Sequence, residues 1–147
     1  MSGRRSTAPT LAARAEELQA LISRDSAFTR ELGFKVTTVT PGVCTLAVPW
    51  KPEFDRPGGI VSGQVLMAAA DVAMWLAIKT LRGMGDTSVT SHMQTQFLRS
   101  LRGEGFGCTA TILRLGRRSA FGTAECVSPR GELLTHHTIA YAAPAPS

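Results

Sequence analysis

The chain has 147 residues, enough for one ordinary domain with a core that needs no disulfide or metal staple. Apolar residues make up 44% and charged ones 18%, which excludes a disordered chain, and the formal net charge of +5 comes from sixteen basic residues of which thirteen are arginine. That charge suits an anionic partner, yet no run of basic residues exceeds two and Tyr141 is the only tyrosine, so a nucleic-acid surface built on stacking is not expected. The three cysteines, Cys44, Cys108 and Cys126, form no C-x-x-C pair and read as small buried side chains. With no apolar leader pattern in the first residues, a cytoplasmic location is the expectation.

Residues 1–9 are small, polar and proline-containing and read as a disordered tail, as do residues 144–147. A single domain is expected over 10–143. From Thr10, Leu11, Ala15, Leu18 and Ile22 recur at helical spacing, and Ser26 to Leu32 adds a short second helix stopped by Gly33. Phe34–Thr40 and Val43–Pro49 alternate apolar and polar residues around Pro41-Gly42, the pattern of a hairpin. Lys51–Gly59, with two prolines and Gly58-Gly59, is loop.

The stretch from Ile60 to Ile78 is unusual, because Ser62, Gln64 and Asp71 are its only polar side chains. A helix apolar on all sides is a buried one, and Gly63, Gln64 and a central Asp argue against a membrane span. Ser62 stands where an N-cap is wanted, while Lys79, Arg82 and Gly83 suit the C-terminal end. After Thr87 four strand segments follow, Thr87–Leu101, Glu104–Leu115, Ser119–Ser128 and Glu132–Ala143, whose short glycine-containing links predict an antiparallel meander. The sum is an α+β fold of about six antiparallel strands curled around one buried helix, with an N-terminal helical segment. An edge strand left unpaired in such a sheet predicts at least a dimer.

Asp71 is the anomaly. An unpaired carboxylate in an apolar setting costs several kcal/mol, so Asp71 is either tied into a structural hydrogen bond or used as a general base or nucleophile. Gln64 lies two turns before it on nearly the same face. Ser62 and Gly63 sit at the helix start, where free N–H groups favour a developing oxyanion and a glycine admits a close carbonyl; the alternative is a plain cap followed by a tolerant residue. Gly63 and Asp71 are eight residues apart, roughly 12 Å along a helix, too far to act on one carbonyl carbon within one chain. If both act, two copies with antiparallel central helices must share the site. His92, His136 and His137 form no metal-ligand spacing, and neither a G-x-S-x-G elbow nor a G-x-G-x-x-G loop is present. Arg117-Arg118 after Gly116 reads as a solvated hairpin tip or a phosphate holder.

The segments GGIVSGQVLMAAADVAMWLA, TSHMQTQFLRS and GRRSAFGTAECVSPRGELL resemble the phenylacetate-degradation type of hot-dog acyl-CoA thioesterase, over about residues 28 to 143. The resemblance implies hydrolysis of an acyl-CoA thioester without metal or cofactor, in a homodimer or a tetramer made of two dimers. It assigns the base or nucleophile to Asp71, the polarising N–H to Gly63 and a water-placing hydroxyl to Thr90. The family's loop glycine falls on Gly59, and its Asn, His and second helix-start glycine fall on Arg56, Ser62 and Gln64, none of which matches. Gln64 offers an amide near the carbonyl in place of part of the lost hydrogen bonding. Arg99, Arg117 and Arg118 fall near the expected nucleotide end of CoA. A non-catalytic acyl-CoA binder is the second reading, motivated by the missing His and Asn; a hot-dog hydratase is disfavoured by the lack of a helix histidine.

Overall fold

The computed structural model describes residues 10–144, so the tail expected over 1–9 and most of that over 144–147 lie outside the described residues. A six-stranded antiparallel sheet holds one long helix, α3 (Gly63–Arg82), against its concave face. Before it come α1 (Ala15–Ala20), a π-helical turn (Leu21–Asp25), α2 (Ala27–Leu32), the hairpin β1 (Lys35–Thr40) and β2 (Val43–Val48), and the short pair β3 (Asp55–Arg56) and β4 (Ile60–Val61). After it come β5 (Val89–Phe97), β6 (Phe106–Leu115), β7 (Ser119–Val127) and β8 (Leu133–Ala142). Every long element expected from the sequence is present.

The helix packs against β2, β6 and β7. Its small residues Ala69, Ala73 and Ala77 are fully buried, and with Leu76 and Ile78 they meet Cys44, Leu46, Ala110 and Ala124 in one core. Alanine at these positions lets the sheet come close, and the larger side chains fill the remaining space. The three cysteines are free and fully buried in this core, as expected. Although α3 has the length and composition of a membrane span, most of it is covered by the protein's own strands.

Three expectations are corrected. The chain from Thr10 is not helical until Ala15; instead the Ala12 N–H donates to Thr80 O at 2.7 Å, tying the irregular lead-in to the end of α3. The four late strands are not a simple meander, because the sheet order is β1-β2-β6-β7-β8-β5. Both edges of β6 are taken, by β2 and β7, so β5 pairs with the free edge of β8 and the link 98–105 crosses to reach β6. Leu101, buried in that link, accepts from the Val61 N–H at 2.9 Å and fixes the crossing beneath the start of α3.

The third concerns α3, which is not covered on all sides. Gln64 and Met67 are exposed, and Asp71 and Trp75 half-buried, along one stripe. The two edges of the sheet also differ. At β1, Gln19 of α1 accepts from the Val36 N–H at 2.7 Å and donates to Phe34 O at 3.3 Å, a side-chain substitute for a further strand. The outer edge of β5 has no such cover among the described residues.

Gly122 marks the tightest point between helix and sheet. A Cβ there would lie 2.2 Å from Thr111 O and 2.7 Å from the Met74 Cε. Gly122→Ala is therefore expected to lose about 1–3 kcal/mol of stability through overpacking, read as a lower urea midpoint with an unchanged slope.

Candidate active site

Asp71 stands on the uncovered stripe of α3, and β5 and β8 hold it there. Thr90 and Tyr141 are register partners across these strands. The Thr90 hydroxyl donates to Asp71 Oδ1 at 2.8 Å, and the Tyr141 hydroxyl lies 2.7 Å from the same oxygen and 3.0 Å from the Asp71 carbonyl oxygen. Burial, and then the neighbouring Asp71 charge, pushes the Tyr141 hydroxyl above the ordinary phenol range, so it remains a donor. Both side-chain bonds use Oδ1. Oδ2 has no hydrogen-bond donor among the described residues, and the carboxylate lines a cavity of about 380 Å³ with Phe28, Val72, Trp75 and Val89. Asp71 is thus both structurally held and chemically available.

Gly63 is the first residue of α3, and neither its N–H nor that of Gln64 finds an acceptor among the described residues. Such orphan donors at the positive end of a 20-residue helix suit an oxyanion. Ser62 occupies the N-cap, but its side chain makes no capping bond, contrary to the expected role; its backbone N–H donates to Phe54 O at 2.8 Å instead. The Phe97 ring lies over Gly63, so close that a Cβ at 63 would sit 2.9 Å from the ring. Gly63 opens on a second cavity of about 330 Å³, lined also by Arg56, Leu66, Phe97 and Arg99.

The remaining residues singled out by the sequence divide by position. Arg56 and Arg99 share the Gly63 cavity, where Arg99 donates to Leu133 O at 3.0 Å and lies 3.8 Å from Glu132. Gly59, at φ 76°, forms the β3–β4 turn, with Arg102 donating to Gly58 O at 2.6 Å. Gln64 is exposed on the Asp71 stripe. Arg117 and Arg118 lie on the β6–β7 hairpin beside the C-terminal end of α3, where Arg82 donates to Gly116 O and to Ser119 O, so one chain does not bring them to Gly63. His137 is buried with its ring nitrogens 2.8 Å from Thr95 Oγ1 and 2.7 Å from Thr135 Oγ1, while His136 faces outward near Glu125. Among the described residues no group of three or more His, Cys, Asp or Glu is placed to hold a metal.

Tyr141 is the site residue that sequence reasoning missed. Its approach to Asp71 depends on β8 lying beside β5, and a meander puts β6 there instead.

One antiparallel sheet around one long helix, with a carboxylate on the helix face and free N–H groups at its start, is the architecture of a hot-dog fold. The chain belongs to the thioesterase superfamily, whose family model matches residues 58–135. A "Putative esterase" of Sulfurisphaera tokodaii is 28% identical over 118 residues, 80% of this chain and 87% of the relative. A "putative thioesterase" structure from Silicibacter sp. TM1040 superposes with a TM-score of 0.81 at 27% identity, covering 92% of this chain and 95% of that one. The E. coli PaaI protein from the phenylacetic acid degradation operon shares the fold with a TM-score of 0.81 at 17% identity, over 94% of this chain and 99% of that one.

Tyr141→Phe keeps the ring and removes the donor. Hydrogen bonds to charged groups contribute about 1.5–3 kcal/mol, so a loss approaching that range is expected in chemical denaturation at neutral pH. A double-mutant cycle with Asp71→Asn should show coupling of about 1 kcal/mol; additive effects would contradict the contact.

Proposed function

We propose that the chain hydrolyses acyl-CoA thioesters in an active site shared by two copies. One observation carries the reading: the two halves of the site lie at opposite ends of β5, the strand with the open edge. Val89 and Thr90 line the Asp71 cavity, whereas Phe97 and Leu98 line the Gly63 cavity. Antiparallel pairing of β5 with β5 of a second copy sets the Val89 end of one strand beside the Phe97 end of the other. Each Asp71 then meets the Gly63 end of its partner, and the exposed stripe of α3 is covered. The same pairing brings the partner's Arg117 and Arg118 to the end that holds Arg56 and Arg99, a cationic setting for the phosphates of CoA.

In this reaction the Asp71 carboxylate takes a proton from a water molecule through its free Oδ2. The water oxygen bonds to the thioester carbonyl carbon, and the resulting oxyanion is held by the N–H of Gly63 of the partner subunit. Collapse re-forms the carbonyl, breaks the carbon–sulfur bond and expels the CoA thiolate, which takes the proton back from Asp71. The products are the free acid and CoA. Thr90 and Tyr141 hold Oδ1 so that the other oxygen faces the water. The three unpaired thiols suit a reducing cytoplasm.

Asp71→Asn is expected to lower thiol release by about 10²–10⁴-fold while the dimer persists in size-exclusion chromatography. Gly63→Pro removes the N–H and keeps the helix start, because proline is accepted at the first helical position and Ser62, at φ −61° and ψ 140°, already has a backbone that can precede it; the exposed Phe97 ring shifts aside to admit the proline ring. Each variant alone should be nearly inactive. Refolded together in equal amounts they should regain about a quarter of wild-type activity, since half the dimers carry one intact site. No recovery in mixed dimers would show that the site is not shared. Stabilisation by acyl-CoA without thiol release would favour the binding protein, the reading suggested by Arg56 and Ser62 standing where the resemblance places Asn and His.

A further inference from the structure

The Asp71 cavity has an apolar end that the hydrolytic step leaves unused. It runs from Asp71 one helical turn toward the C-terminal end of α3, where Trp75 stands, and Phe28 of α2 and Val89 border it. Gly63 lies the other way along the helix. In the proposed dimer the CoA arm leaves through the partner's Gly63 cavity, so the acyl group extends toward Trp75 and Phe28.

Phe28 is 68% exposed and adds nothing to the core of its own chain. The helix that carries it is nevertheless fixed. Ser26 Oγ accepts from the Thr29 N–H, buried Thr29 donates to Ile22 O at 2.8 Å, Lys51 donates to Glu31 O at 2.7 Å, and Gly33 at φ 72° ends the turn. A rigid mount for a solvent-facing aromatic ring beside a reactive carboxylate is the arrangement of a binding wall. Trp75 opposite is steadied by the Lys79 ammonium 5.5 Å from its ring. Most hydroxyls that border the cavity donate within the protein, Thr29 to Ile22 O, Ser88 to Asp86, and Thr90 and Tyr141 to Asp71; only the Ser26 O–H has no acceptor among the described residues. Little hydrogen bonding is therefore left for a polar acyl group.

We infer that Phe28 is a specificity-determining residue that, facing Trp75, ends the acyl site and restricts it to compact, apolar acyl groups. This rests on the acyl-CoA reading above. The test separates the two. Asp71→Asn protein, with and without Phe28→Ala, is titrated calorimetrically with saturated acyl-CoAs from acetyl to palmitoyl. Each newly buried methylene raises affinity about fourfold. The affinity should climb and then level off at a short chain in Asp71→Asn, and level off at a longer chain once Phe28 is alanine. In thiol release, Phe28→Ala in the otherwise native chain should raise the long-to-short ratio of kcat/KM at least tenfold. A plateau at the same length in both proteins, or affinity climbing through palmitoyl with Phe28 in place, overturns the inference. An affinity ladder without thiol release by the native chain refutes hydrolysis and leaves Phe28 its role; no binding of any acyl-CoA overturns both.

Discussion

The packing of α3 into the concave face of the sheet is the constraint on which the remainder depends. Fully buried alanines along the helix, and Gly122 opposite Met74, allow the strands to close around it. Six strands cover only part of its circumference, so the stripe from Gln64 through Met67 and Asp71 to Trp75 stays uncovered. The sheet stops where β5 stops. An open backbone edge, an uncovered helix stripe and the carboxylate on it therefore occur together, because all three come from the same incomplete wrapping.

Two polar groups near the core show how a structural residue differs from one available for chemistry. His137 is fully buried, and each of its ring nitrogens has a threonine hydroxyl within hydrogen-bonding distance. Nothing is left over for a ligand. Asp71 is held as firmly, by Thr90 and Tyr141, but through one oxygen only, and the other borders a cavity. The Cys44 thiol belongs with His137. Burial pushes the Cys44 thiol up to about 12, which keeps it protonated and unreactive at neutral pH.

The elements themselves were legible because each depends on local chemistry. The apolar run, Gly83 at its end and the alternating segments separated by glycine placed α3 and the long strands within a few residues. Pairing order was not legible, since it depends on which edge of β6 is already occupied, a fact about β2 sixty residues earlier. Losing that order hid Tyr141, whose meaning lies in being opposite Thr90. Asp71 and Gly63 were legible for the opposite reason: a lone carboxylate in an apolar helix and a glycine at its start are anomalies visible without any partner. Ser62 misled because residue type suggests a cap, whereas its backbone is already engaged by Phe54 and its side chain bonds to nothing in the turn.

The departures at positions 56, 62 and 64 bear unequally on the proposed chemistry. A backbone N–H at a helix start does not depend on the side chain before it, so Ser62 in place of a histidine removes an auxiliary donor and leaves the dipole and the Gly63 N–H intact. The Phe97 ring over Gly63 leaves a Cβ at that position only 2.9 Å from the ring, so any other residue there must displace the ring. Arg56 is a different replacement from a neutral amide. It places a permanent positive charge at the lining of the Gly63 cavity, where the proposed reading puts the phosphates of CoA. On the proposed mechanism the developing negative charge therefore rests on the Gly63 backbone N–H, which none of the three departures removes.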